Sequence, residues 1–222
     1  PQFFYVPKQP RLGDFNSFGD QVYLFEERPA GDRSDVDGFG NSEKVVSFRK
    51  MLDKTIDDPD DVIDQESVLK ARLFDMLIGD WDRHDDQWRW ATFKEGDKKI
   101  YRPVPRDRDH AFLSFRGVLP WIASRPFIAP QLQSFNKKFG YIKGLNFNAR
   151  HFDRGYLTEL TKDDWRRIAE ELKNSLTDEE IDHAVNAWPD TLIALNGDEI
   201  KENLRSRRAQ LVEAGNGETG HD

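Results

Sequence analysis

Two acidic clusters hold the residues best suited to chemistry in this 222-residue chain. The first is Gly79-Asp80-Trp81-Asp82-Arg83-His84-Asp85-Asp86-Gln87-Trp88, and the second is Pro103-Val104-Pro105-Arg106-Asp107-Arg108-Asp109-His110-Ala111-Phe112. Between them lie two short β-like runs, residues 88–94 and 100–104, joined by the turn Glu95-Gly96-Asp97-Lys98-Lys99. A hairpin of that size returns its flanking loops to one end, where carboxylates from both clusters would face one another. Converging carboxylates hold Mg²⁺ or Mn²⁺, hard cations that prefer oxygen ligands and usually arrive with phosphates. The pattern reads as half of a phosphoryl-transfer site.

Positioning those clusters requires a folded domain, and the composition supplies one. The length suits one good-sized domain, and a hydrophobic content of 37% with 16 Phe and 6 Trp supports an aromatic-rich core. A net charge of -8 argues against a nucleic-acid backbone as partner. With no Cys, thiolate zinc sites, disulfides and a cysteine nucleophile are excluded, while the compartment stays open. No run approaches the ~20 apolar residues of a membrane span. The start at Pro1 suggests a processed or excised chain, attached in the intact protein to further domains.

Residues 1–41 read as β and turn, with short strands at 2–6 and 21–26 followed by a polar, Gly-rich loop. Residues 42–214 read as mainly helical. Ser42 is placed to cap a helix over 43–54, after which 57–61 forms a solvated acidic turn. Asp64 caps the strongest helix, 65–78, which is apolar on more than one side and so belongs inside the domain. Gly79 ends it and starts the first acidic loop. Further helices are expected at 116–124, 162–175 with Thr161 and Asp164 as a capping pair, 178–188 behind Thr177, and 198–214. The stretch 145–156 is mixed and polar, and the Gly-rich tail 215–222 is expected to be disordered.

A buried helix, a loop with an Asp and a polar residue five positions later, a hairpin and then an Asp loop resemble the C-terminal lobe of atypical protein-kinase-like enzymes. Closest in pattern are the spore-coat CotH kinases, the HipA toxin kinases and the secretory-pathway Golgi kinases. Their loop Gly-Asn-x-Asp-Arg-His-x-x-Asn/Glu is matched by residues 79–87, and their post-hairpin metal Asp with a following Phe by residues 107–112. The resemblance covers residues 21–115 and implies an ATP- and Mg²⁺-dependent phosphotransferase of α+β, mainly helical fold, bacterial or of the cell envelope. It makes Asp82 the catalytic base and Asp107 the main metal ligand, with Asp109 competing for that place. Gln87 takes the second metal position, offering one carbonyl oxygen where Glu offers two. Asp80, standing where these families often have Asn, supports the site with Arg83 and His84. Strand 21–26 with Glu26 and Glu27 would be the hinge that meets the adenine. No Gly-rich phosphate loop or strand Lys precedes residue 21, so the other lobe is expected upstream, and the phosphoryl acceptor is undefined.

Two other readings stand beside this one. Asp80, Asp82, His84, Asp107 and Asp109 could form the two-metal cluster of a phosphohydrolase, or the chain could be a degenerate, non-catalytic kinase-like module. Arg83, Arg106 and Arg108 are read as ion-pair partners that keep Asp82 and Asp107 ionised, in preference to phosphate contacts. His84 is a loop-bracing residue, and His110 a single potential metal ligand. Trp88 and Trp90 share one strand face as packing residues. Arg205, Arg207 and Arg208 solvate the outer face of the last helix.

Overall fold

The structure, a computed structural model, describes residues 2–25, 40–115 and 128–218. The fold is α+β, more helix than sheet, and among the described residues no helix is long and apolar enough to cross a membrane. Strands β1 (Gln2–Val6) and β2 (Gln21–Phe25) pair antiparallel as a sheet of their own, with Phe4 edge-on to Phe25 at 5.7 Å. Glu26 and Glu27, the expected adenine contacts, lie outside the described residues, as does the helix expected at 116–124.

The expected helix over 43–54 is corrected at its start. Residues Lys44–Ser47 form strand β3, and Ser47 instead of Ser42 caps α1 (Phe48–Asp57), accepting from the Lys50 N–H. β-Branched Val45 and Val46 suit a strand, and a sheet edge was available to pair them. Val46 is buried there, while Ser42 is buried with its hydroxyl unpartnered.

Strand β4 (Val62–Ile63) leads into α2 (Gln65–Ile78). The Asp64 carboxylate accepts from both the N–H and the hydroxyl of Ser67, at 2.9 and 2.8 Å. Gly79 stops α2 in the left-handed conformation at φ 76°, and a Cβ there would sit 3.2 Å from the Phe135 ring. With Val68, Leu69, Leu73, Met76, Leu77 and Ile78 all buried, α2 is the core helix that its sequence indicates.

The hairpin follows as β5 (Trp88–Glu95) and β6 (Lys98–Pro105), with Glu95 opposite Lys98 and Gly96 at φ 64° in the turn. The sheet order is β3-β5-β6-β4, antiparallel except for β4 on β6. Trp88 and Trp90 project from one face of β5 and are fully buried, Trp88 lying flat on Phe152 at 4.7 Å.

The longer helices that follow the hairpin are α3 (Ile142–Leu145), α4 (Arg150–Tyr156), α5 (Lys162–Ser175), α6 (Asp178–Asn186) and α7 (Asp198–Glu218). Thr161 and Asp164 form the capping box expected for α5, and Thr177 caps α6. α7 follows a π-helical stretch at Ile193–Gly197 and packs on α2 and α5. It continues to Glu218, through the first glycines of the tail.

Arg207 corrects the reading of the basic group on α7. Arg205 and Arg208 do pair at the surface with Asp182 and Asp178, but Arg207 is only 3% exposed. Its guanidinium lies over the rings of Phe135 and Phe139 and donates to the Met76 carbonyl at 2.8 Å. A cation is favourable at that C-terminal end of α2, although burial lowers its pKa to about 10.

Candidate functional site

Strand pairing puts the two acidic clusters together. Trp88 is opposite Pro105, and just beyond the ladder the Arg106 N–H donates to the Gln87 carbonyl at 2.8 Å. On its far side, the second loop is tied to the end of α2, where the Phe112 N–H donates to Ile78 O at 2.9 Å. Two of its non-glycine residues adopt positive φ: Asp107 at 55° and Phe112 at 61°. Asp tolerates that region, whereas for Phe it is strained. Edge contacts of Phe112 with Phe135 and Trp188, at 5.1 and 5.4 Å, hold it there.

Beneath the loops lies a buried ionic network. Arg83 is fully buried, grips Asp75 through Nε (2.9 Å) and Nη2 (3.0 Å), and reaches Asp80 Oδ2 at 2.6 Å. It also donates to the Arg106 carbonyl, and its guanidinium lies 5.2 Å over Trp88. Asp75 further receives Arg72 and Arg108, each at 3.2 Å. Arg72 extends the network to Asp153 (2.8 Å) and to the Asn146 amide oxygen (2.9 Å). Three guanidiniums thus face Asp75, Asp80 and Asp153, the charge balance that makes such burial tolerable. The expectation that Arg83 and Arg108 pair with Asp82 and Asp107 is corrected: their partners are Asp75 and Asp80.

Asp80 is a supporting residue, fixed by Arg83 and buried to 2% exposure. Burial pushes its carboxyl up to about 6; Arg83 opposes the shift and Asp75 adds to it. Its Oδ1 has no hydrogen-bond partner. Burial likewise raises the pKa of Asp153, against the pull of Arg72.

Asp82 sits above the network with 29% of its side chain exposed. Its Oδ1 accepts from the Asn148 side-chain amide at 3.0 Å, and its Oδ2 faces His110 Nδ1 at 3.9 Å. The His110 ring packs on Trp81 at 4.5 Å. The same Nδ1 lies 2.7 Å from Asp109 Oδ1, in a contact whose angles do not make a hydrogen bond.

The proposed metal positions are chemically unequal. Asp107 and Asp109 are exposed, while Gln87 is buried with an unpartnered Oε1. Among the described residues, no three His, Asp or Glu side chains gather closely enough to hold a metal. The five-residue cluster required for a two-metal hydrolase is therefore not assembled, and Asp80 is already committed to Arg83. What remains are separate oxygens: the exposed Asp107 and Asp109 carboxylates and the buried Gln87 Oε1. His84 is exposed, and among the described residues its engagement is through the backbone, whose carbonyl accepts from the Gln87 N–H.

Comparison of the chain with protein-family models, curated proteins and solved structures returned no match. The kinase-like resemblance therefore rests on the motif residues alone.

Sequence reasoning missed Asp75, Arg72 and the Asn146–Asn148 segment. Asp75 had a signal: an acid between Phe74 and Met76 in a helix apolar on most sides needs a buried cationic partner. Asn148 had none, since its contact with Asp82 spans 66 residues.

Proposed function

We propose that this chain is the C-terminal lobe of an atypical kinase-like phosphotransferase, acting on ATP with Mg²⁺ or Mn²⁺. The supporting observation is Asp82: a partly buried carboxylate oriented through one oxygen, with its other oxygen free of hydrogen bonds among the described residues. That is what a hydroxyl-orienting base requires. In the step, the acceptor O–H bond breaks as its proton passes to Asp82 Oδ2. The acceptor oxygen bonds to the γ-phosphorus, and ADP leaves with the electron pair of the broken P–O bond. Arg83, Asp75 and Asp80 hold the loop that presents Asp82, so positioning, the main contribution in phosphoryl transfer, is built beneath it. Asp107 and Gln87 would hold the cation, which when bound neutralises phosphate charge.

The test is γ-phosphate transfer or ADP release by the natural full-length protein with Mg²⁺ and ATP. Asp82→Ala should lower turnover by about 10²- to 10⁴-fold, and Asp107→Ala should raise the Mg²⁺ requirement. Full activity in both variants would refute the assignment. No transfer and no thermal shift with nucleotide or Mg²⁺ would leave a non-catalytic module.

A further inference from the structure

Resting on that reading of Asp82, we infer that Asn148 is a positioning residue for it, fixing which carboxylate oxygen meets the acceptor. A carboxylate has two equivalent oxygens and turns easily about its last bond. Donation from Asn148 Nδ2 to Oδ1 at 3.0 Å removes that equivalence. Oδ2 is thereby left on the side of His110 and Trp81, so the acceptor approaches past that ring pair.

The Asn148 segment is itself anchored. Leu145 and Ala149 on either side are 3% and 1% exposed, and Phe152 one turn later is stacked on Trp88. Asn146 accepts from Arg72 Nη2, and Arg72 binds Asp153 of α4 through Nε and Nη2, at 2.8 and 3.3 Å. Arg72 also shares Asp75 with Arg83, so one buried acid anchors both the loop that carries Asp82 and the segment that orients it. A displacement of either would be felt at the same carboxylate. Misplacing a reacting group by about 1 Å costs on the order of 100-fold in rate.

The experiment measures ATP-dependent transfer by wild type, Asn148→Ala, Asp82→Ala and the double variant, with thermal midpoints alongside. Asn148→Ala should lower kcat by about 10- to 100-fold, with the KM for ATP and the midpoint nearly unchanged. Because Asn148 acts through Asp82, the double variant should be no slower than Asp82→Ala alone. A general structural role would instead lower the midpoint, raise KM and slow the double variant further; that pattern, or wild-type rates in Asn148→Ala, overturns the inference while leaving Asp82 catalytic. If Asp82→Ala is fully active or wild type transfers nothing, the phosphotransfer reading fails and this inference fails with it.

Discussion

The segments 57–61 and 80–87 each carry four Asp, yet the fold uses their buried and half-buried acids in opposite ways. In the first, Asp61 is 4% exposed and both its oxygens are engaged: by the Lys99 N–H (3.2 Å), the Lys99 ammonium (3.2 Å) and the Tyr101 hydroxyl (3.3 Å). It is the buried latch of β4 against β6; residues 57–60 are exposed, as expected of a solvated turn, and only Asp61 departs from that reading. Burial, and then Asp61, push the Tyr101 phenol up to about 12, so it stays a donor at any physiological pH. In the second loop, the structural acid and the presented acid are different residues. Asp80 goes down to Arg83, and Asp82 keeps an oxygen free above it. An acid whose lone pairs are all taken serves the fold; one that is held but not saturated is available for chemistry.

The most severe way to break this contrast is to remove the support under the second loop. Arg83→Ala leaves Asp75 and Asp80 facing one another with fewer cations in a buried setting, a change that typically costs about 3–5 kcal/mol. Urea unfolding should show that loss, and transfer activity should fall with it. A destabilisation under about 1 kcal/mol would mean the network is not what supports the loop.

The next effect in size is a pH dependence. The folded Asp80 carboxyl titrates at about 6, above the value of 3.8 for a free Asp. Between those values the folded state keeps a proton that the unfolded chain has released, so this group's contribution to stability falls as pH rises from about 4 to 6. The full decline amounts to roughly 3 kcal/mol. Asp64 and Asp164, whose pKa values are lowered by hydrogen bonds, act oppositely and mostly below that window. Unfolding free energies of Asp80→Asn measured from pH 4 to 7 should show a shallower decline, because Asp153, also raised by burial, keeps a share of the same sign. An unchanged slope would place the titration elsewhere.

Much of the fold was legible because the informative signals were local. Helix α2 announced itself through Asp64, its apolar faces and Gly79, and the hairpin through two β-rich runs around a Gly-Asp turn. Strand β3 was not legible, since four residues with two adjacent valines satisfy helical and strand spacing alike until a partner strand decides. Arg207 was misread because a cation on an amphipathic helix usually faces water; here the end of α2 and two Phe rings receive it. At the candidate site, the motif singled out Asp82 as the proposed base. What orients it could not, because Asn148 and the Arg72 network are contacts between distant segments that no spacing encodes.

The smallest effects give the sharpest comparison. Asp61→Ala removes a buried acceptor from Lys99 and Tyr101 and should cost about 1–3 kcal/mol, the penalty of stranding buried donors. Turnover per folded molecule should not change, because Asp61 contacts Lys99 and Tyr101 on the β4 side of the sheet and none of the residues proposed for transfer. Asp82→Asn is the inverse case. Its one hydrogen bond, at a part-exposed position, is replaceable by the amide oxygen, so stability should change by less than about 1 kcal/mol. An amide cannot accept the acceptor's proton as a carboxylate does, and transfer should fall by about 10²- to 10⁴-fold. Paired denaturation and transfer measurements on the two variants would separate the roles. A large stability loss in Asp82→Asn with unchanged transfer would make Asp82 a second latch and erase the distinction between the two loops.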